Sequence, residues 1–136
     1  MAGETGAVMP AVLRWASVLS LFAAVSLAPA RATPSPAAKA EIAGLMDALS
    51  ASGCRFQRNG SWHGATEARA HLQRKYDYLL EKNQVDTAEQ FIERVASKSS
   101  ISGRAYRVKC GGGEQDASTW FDLQLKRLRD SGAAAR

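Results

Sequence analysis

The stretch GCRFQRNGSWHG, residues 53–64, crowds Cys54, Arg55, Arg58, Trp62 and His63 together. Arginine beside histidine could hold an anion, and a histidine could serve as a general base. The same stretch contains Asn59-Gly60, the strongest short-range hairpin signal, because a type I′ turn needs positive φ at both central residues. A ligand-binding reading would use Arg58 and His63 at the open end of a small sheet. The architectural reading is preferred: Asn59 and Gly60 turn the chain, and Arg58 ends a strand in solvent.

A second group lies on one helix. At about 100° per residue, Tyr78, His71, Lys75, Ala68, Leu79, Leu72 and Tyr76 follow one another around a broad arc. His71 and Lys75 therefore lie within or beside the apolar face. A lysine there needs a partner or it loses its proton. The ordinary account is that Lys75 reaches past the edge to water while His71 bonds a backbone carbonyl. The functional account is a binding cleft lined by His71, Lys75 and Tyr78, with Arg58 nearby.

The remaining candidates are weaker. Ser99, Ser100 and Ser102 precede Gly103 in SKSSISG, but a nucleophile elbow is G-x-S-x-G on a strand-to-helix turn. This loop runs from helix to strand and lacks the first glycine, so helix capping and turn formation are preferred. Gly111 to Gly113 sit between a strand and a helix, where backbone N–H groups can cradle a phosphate. They match no phosphate-binding fingerprint, and a plain connector is expected. His63 and His71 have no carboxylate at metalloprotease spacing, so no metal site is expected and no cofactor is implied. Lys126, Arg127 and Arg129 crowd the end of the last helix. Cations suit the dipole there, with contact to an anionic surface as the functional alternative.

These residues must be positioned by short elements. Ser35 and Pro36 suit the start of a helix whose face is Ile42, Leu45, Met46 and Leu49, and Gly53 ends it. The hairpin follows, with Cys54, Phe56 and Arg58 on one face and Arg55 and Gln57 on the other. A second helix runs from about Ala65 to Lys82. Asp86, with Glu89 three residues on, is expected to cap a third, whose stripe is Ala88, Phe91, Ile92, Val95 and Ala96. AYRVKC alternates as a half-buried strand, and a last helix from about Asp116 to Arg129 buries Ala117, Trp120, Phe121, Leu125 and Leu128. The expected fold is α+β: a small single domain in the order α-β-β-α-α-β-α, three or four helices packed on a small sheet.

The chain has 136 residues and a formal net charge of +5. Trp15 to Leu27 is an uncharged apolar run too short to span ~30 Å of hydrocarbon, followed by small residues in A-x-A spacing at Ala28, Ala30 and Ala32. That is the layout of a secretory signal peptide, 1–32, with cleavage after Ala32 or Ala30. A linker, 33–40, then leads into a domain, 41–130, with a flexible tail, 131–136. Removing Arg14, Arg31 and Glu4 with the leader lowers the net charge by one, from +5 to +4. No membrane span remains after cleavage. No block of like charge marks a nucleic-acid arm, so no nucleic acid is expected as a partner. Both cysteines, Cys54 and Cys110, lie in the exported part, where a disulfide is the expected state.

CRFQRNG, AHLQRKYDYL, DTAEQFIERVASKSSISGRAYRV and the closing Trp120 helix resemble a YfeK-type family of small bacterial periplasmic proteins, a domain of unknown function. The likeness covers about Glu41 to Arg129. It implies export to the periplasm and one domain, and it carries over no activity, cofactor or catalytic residue. The leading expectation for function is a non-catalytic periplasmic module that binds an envelope protein or an anionic envelope component. The alternative is a small hydrolase using His71 or His63 as general base. A pocket in which His71, Lys75 and a serine converge would favour the enzyme, and a flat surface would disfavour it.

Overall fold

The computed structural model describes Gly3, Ala24 and residues 33–134. Apart from Gly3 and Ala24, the leader expected at 1–32 lies outside the described residues. Helix α1, Pro36–Ala51, starts where the Ser35 hydroxyl accepts a hydrogen bond from the Ala38 amide at 3.1 Å, with Pro36 in the first turn. Ala38, Ile42, Leu45, Met46 and Leu49 are buried along its inner face. The helix thus begins inside the segment expected as a linker, because the Ser35 cap and the burial of Ala38 order those residues. The last helix likewise continues to Ala134, into the expected tail.

Strands β1, Arg55–Arg58, and β2, Ser61–Gly64, form the expected hairpin. Asn59 and Gly60 have φ of 51° and 83°, the left-handed values that the Asn-Gly pair accommodates. Helix α2, Ala65–Glu81, follows, burying Ala68, Leu72 and Tyr76. Helix α3, Ala88–Phe91, is capped by Thr87, whose hydroxyl accepts from the Gln90 amide at 3.1 Å. The cap is therefore one residue later than Asp86. The Gln90 side chain in turn accepts from the Asp86 amide at 2.9 Å, a reciprocal arrangement close to a capping box. A π-helical turn, Ile92–Ala96, completes the helix and buries Ile92, Val95 and Ala96.

Strand β3, Arg107–Cys110, pairs with β1, and a further strand, β4 (Gly113–Asp116), pairs with β3. The sheet is antiparallel throughout, in the order β2-β1-β3-β4. The expected order has only three strands, so β4 is a correction. Gly111, with φ of 58°, and Gly112 make a two-residue turn, and Cys110 pairs with Gly113. The strand is hard to see in the sequence because GEQD lacks apolar alternation. It is an edge strand held by the backbone ladder and by Arg107, which donates to Glu114 at 3.1 Å and to Asp116 at 2.6 Å.

Helix α4, Ala117–Ala134, packs back over the sheet through Ala117, Trp120, Phe121 and Leu125, all buried. The helices share a core with one face of the sheet, where Phe56, Tyr106 and Val108 are buried among Leu45, Leu49, Phe91 and Phe121. Arg55 and Lys109 stand exposed on the other face, paired across β1 and β3. Cys54 and Cys110 form a disulfide with Cα atoms 4.4 Å apart, joining the entry to β1 with the end of β3. Among the described residues, no helix is long and apolar enough to cross a membrane. The domain is α+β, with four α-helices and a four-stranded antiparallel sheet.

Candidate functional site

The four candidate residues Arg58, His71, Lys75 and Tyr78 line one cleft of about 560 Å³. The opening hairpin supplies one wall. Arg58 ends β1 on the same face as Phe56, and the Asn59 side-chain oxygen Oδ1 accepts from the Ser102 hydroxyl at 2.6 Å. The serine loop is thereby fixed to the turn. The hydroxyl of buried Ser99 accepts from the backbone amides of Ile101 (3.3 Å) and Ser102 (3.2 Å), and more distantly from the Asn59 side-chain nitrogen Nδ2 (3.5 Å). Gly103, with φ of 72°, closes the loop, and its amide donates to the Ser99 carbonyl. Turn formation is thus what Ser99 and Ser102 do.

Helix α2 supplies the opposite wall. Its 3.6-residue period sets His71 and Lys75 one above the other and brings Arg74 and Tyr78 to the same side. Tyr106, just before β3, is the floor. Its ring packs on Phe56 with centroids 5.1 Å apart. Its hydroxyl shares a hydrogen bond with His71 Nε2 at 3.2 Å, and Lys75 Nζ lies 5.2 Å from its ring centroid. Lys75 also donates to the Lys98 carbonyl at 2.6 Å. Neither side chain takes its expected partner: the lysine bonds a backbone carbonyl, and the histidine bonds a phenol.

These contacts set the electrostatics. Burial, reinforced by Arg58, Lys75 and Arg74, lowers the His71 pKa to about 4, so the ring is neutral at physiological pH. Burial, with Lys98 adding repulsion, lowers Lys75 to about 8. Burial raises Tyr106 above its usual value, and the phenol stays protonated. Among the described residues, none that lines the cleft is acidic. Its walls offer two guanidinium groups, an ammonium and the side-chain amides of Asn59 and Gln84.

His63 is not part of this cleft. It pairs with Glu67 at 3.0 Å on the β2-to-α2 junction. Ser99 and Ser100 do line the cleft with His71 and Lys75, the convergence that favours a hydrolase. The Ser99 hydroxyl, however, already accepts two backbone amides, and His71 Nε2 is engaged with Tyr106. Arg129, one of the terminal cations, is held by Glu41 and Glu89, which removes it from the pool of free charge. Among the described residues, no group of three His, Cys, Asp or Glu side chains could hold a metal ion.

Two contributors lay outside the sequence reading. Tyr106 reads as a core strand residue, yet a buried tyrosine still needs a partner for its hydroxyl, and that signal points across the core to a polar residue such as His71. Arg74 is an exposed residue of α2, and it is the fold that brings it and Arg58 into the lining of one cleft.

A small α+β domain with one disulfide and a cationic cleft thus defines the chain. It belongs to a family of unknown function (DUF5329), whose profile matches residues 36–129. It is 40% identical over 90 residues to the "Uncharacterized protein YfeK" of Salmonella typhimurium (strain LT2), covering 65% of this chain and 73% of that one. No solved structure matches it.

Proposed function

We propose that the protein is an exported, non-catalytic binding domain whose cleft holds an anionic group of an envelope component. The observation that carries this reading is the cleft itself: Arg58, Arg74 and Lys75 converge with neutral His71, and among the described residues no carboxylate lines the space. Arg58 and Lys75 are half-buried, and such charge without a counter-charge is unfavourable in the free protein, so an incoming anion relieves it. Export is supported by the apolar run at 15–27, by the small residues that follow it, and by the Cys54–Cys110 disulfide, since disulfides persist in oxidising compartments. The periplasm is the compartment that best suits both features.

The test is an NMR titration of the purified protein with inorganic phosphate and with glycerol 3-phosphate. Amide shifts should concentrate at Arg58, His71, Arg74 and Lys75, and higher anion concentrations should be needed to produce them in Lys75→Met. Uniform shifts over the surface would sink the reading.

A hydrolase remains the second reading because His71, Lys75, Ser99 and Ser100 share the cleft. It requires turnover of an activated ester such as p-nitrophenyl acetate that falls to background in His71→Asn. The binding reading requires no turnover above background in either protein.

A further inference from the structure

We propose that this cleft docks the domain on an anionic phospholipid surface, with the lipid phosphate held by Arg58, Arg74 and Lys75 while Ile101 and Tyr78 enter the acyl boundary. The inference rests on the anion-binding reading above and names the ligand class for that site.

Its independent support is the placement of exposed apolar side chains. Among the described residues, Tyr78 and Ile101 are 59% and 98% exposed, and both border the cleft. A single exposed apolar residue is ordinary on a protein surface. Here two flank the same cationic opening, and one is held outward by its own loop. The Ser99 hydroxyl takes the Ile101 amide, the Ser102 hydroxyl donates to Asn59, and Gly103 adopts the left-handed turn. Ile101 is thus the tip of a loop fixed by hydrogen bonds.

The charges around the tip fit a headgroup layer. Lys98 and Arg104 flank the loop and are exposed. Lys82 Nζ lies 5.6 Å from the Tyr78 ring centroid, placing a cation beside the aromatic ring. Tyrosine with its polar end in the interface, and basic residues at headgroup level, are the side-chain types that membrane surfaces select. A phosphodiester presents one negative oxygen cluster to the cleft and two acyl chains beside it, which matches cationic walls with an apolar rim. A protein partner is less well matched. A stable interface buries about 800 Å² on each side around an apolar centre, whereas the apolar residues here are two separate side chains around charge.

The experiment sediments the purified protein with vesicles of phosphatidylethanolamine and phosphatidylglycerol, and with vesicles of phosphatidylcholine alone. In parallel, glycerol 3-phosphate is titrated by NMR. The expected result is phosphatidylglycerol-dependent binding. Lys75→Met should weaken it by about fivefold, the effect of one basic residue at an anionic surface. Ile101→Ser should weaken it by about tenfold, equivalent to roughly two methylenes withdrawn from the acyl boundary. Ile101 touches solvent almost everywhere, so the variant keeps its fold, which an unchanged melting temperature verifies. Full vesicle binding by Ile101→Ser would overturn the proposal, leaving non-specific charge attraction. Cleft-centred shifts with glycerol 3-phosphate but no vesicle binding would overturn it too, while leaving the anion-binding reading intact and pointing to a soluble or protein-borne anion. Neither response would remove both.

Discussion

Arg129 and Arg107 are each gripped by two carboxylates, Glu41 with Glu89 and Glu114 with Asp116. Arg58, Arg74 and Lys75 line a cleft that has no acidic residue among the described residues. The same side-chain types are thus used in two ways. In the first region cations fasten elements to one another: Arg129 joins α4 to α1 and α3, and Arg107 joins β3 to the edge strand β4. In the second they are left without carboxylate partners; burial, reinforced by Arg58, Lys75 and Arg74, keeps His71 neutral, and burial, with Lys98 adding repulsion, lowers the pKa of Lys75. Positive charge matched by carboxylates is architecture, whereas positive charge left unmatched in a concave, half-buried place is a capacity for an anion.

That contrast predicts separable effects. The largest belongs to the disulfide, which closes a sequence separation of 56 residues. Replacing Cys54 and Cys110 by alanine should lower stability by about 4 kcal/mol on the chain-entropy account, read as a drop in denaturation midpoint. The anion-induced shifts at the cleft should survive at temperatures where the variant is folded. Their loss from a folded variant would break the separation between the two regions.

Next in size is Gly60→Val. A side chain at Gly60 would meet only Arg104, at 3.7 Å, so space is not the problem. The penalty comes from φ of 83° at a β-branched residue and should be about 1–3 kcal/mol. Because Asn59 anchors the Ser99–Gly103 loop, this variant alone should disturb both stability and binding. An unchanged thermal melt would show that the turn adapts freely.

Arg129→Met and Lys75→Met then make an opposed pair. The first removes a partly exposed ionic tie and should cost at most about 1 kcal/mol, with binding unaffected. The second keeps the apolar stem, removes a charge that has no counter-ion, and should leave the melting temperature unchanged or raised while anion capture falls. A collapse of stability in Lys75→Met would instead make its bond to the Lys98 carbonyl structural.

Where side-chain pattern and burial agree, this fold was legible. Ser35, Asn59-Gly60, the α1 face and the Cys54–Cys110 pairing are local or strongly patterned, and each stands where the sequence puts it. Gly113–Asp116 was not legible as a strand, since an exposed edge carries no hydrophobic period and its ladder bonds come from backbone. A Gly-Gly pair after a strand is nonetheless a hairpin signal, and it marks the turn at Gly111. The site was half legible. The 100° period groups His71, Lys75 and Tyr78 from helix geometry alone. Arg58 converges with them only because β1 lies beside α2, and Tyr106 and Ile101 join through contacts far apart in sequence. Long-range placement is the part a local pattern cannot carry.

The effect most specific to the cleft is its dependence on pH. Lys75 has a pKa of about 8 in the folded protein, against an ordinary value of 10.5, mainly through burial and then through Lys98. Between those two values the unfolded chain binds more protons at this site than the native one, so stability rises with pH across the window. Below pH 8 the unfavourable charge is fully present. Tyr76 and Tyr106, both raised by burial, act in the opposite direction above pH 10, where the native state retains protons that the unfolded chain has lost. Subtracting the profile of Lys75→Met from that of the native protein cancels the tyrosines. The residual should favour the native protein progressively from pH 8 upward, measured by urea denaturation at each pH. An anion in the cleft favours the charged lysine, so binding should weaken as pH rises through about 8, whereas ordinary exposed lysines hold their charge to about pH 10. A phosphate titration whose midpoint lies near 10 would assign the binding to other lysines and remove Lys75 from the site.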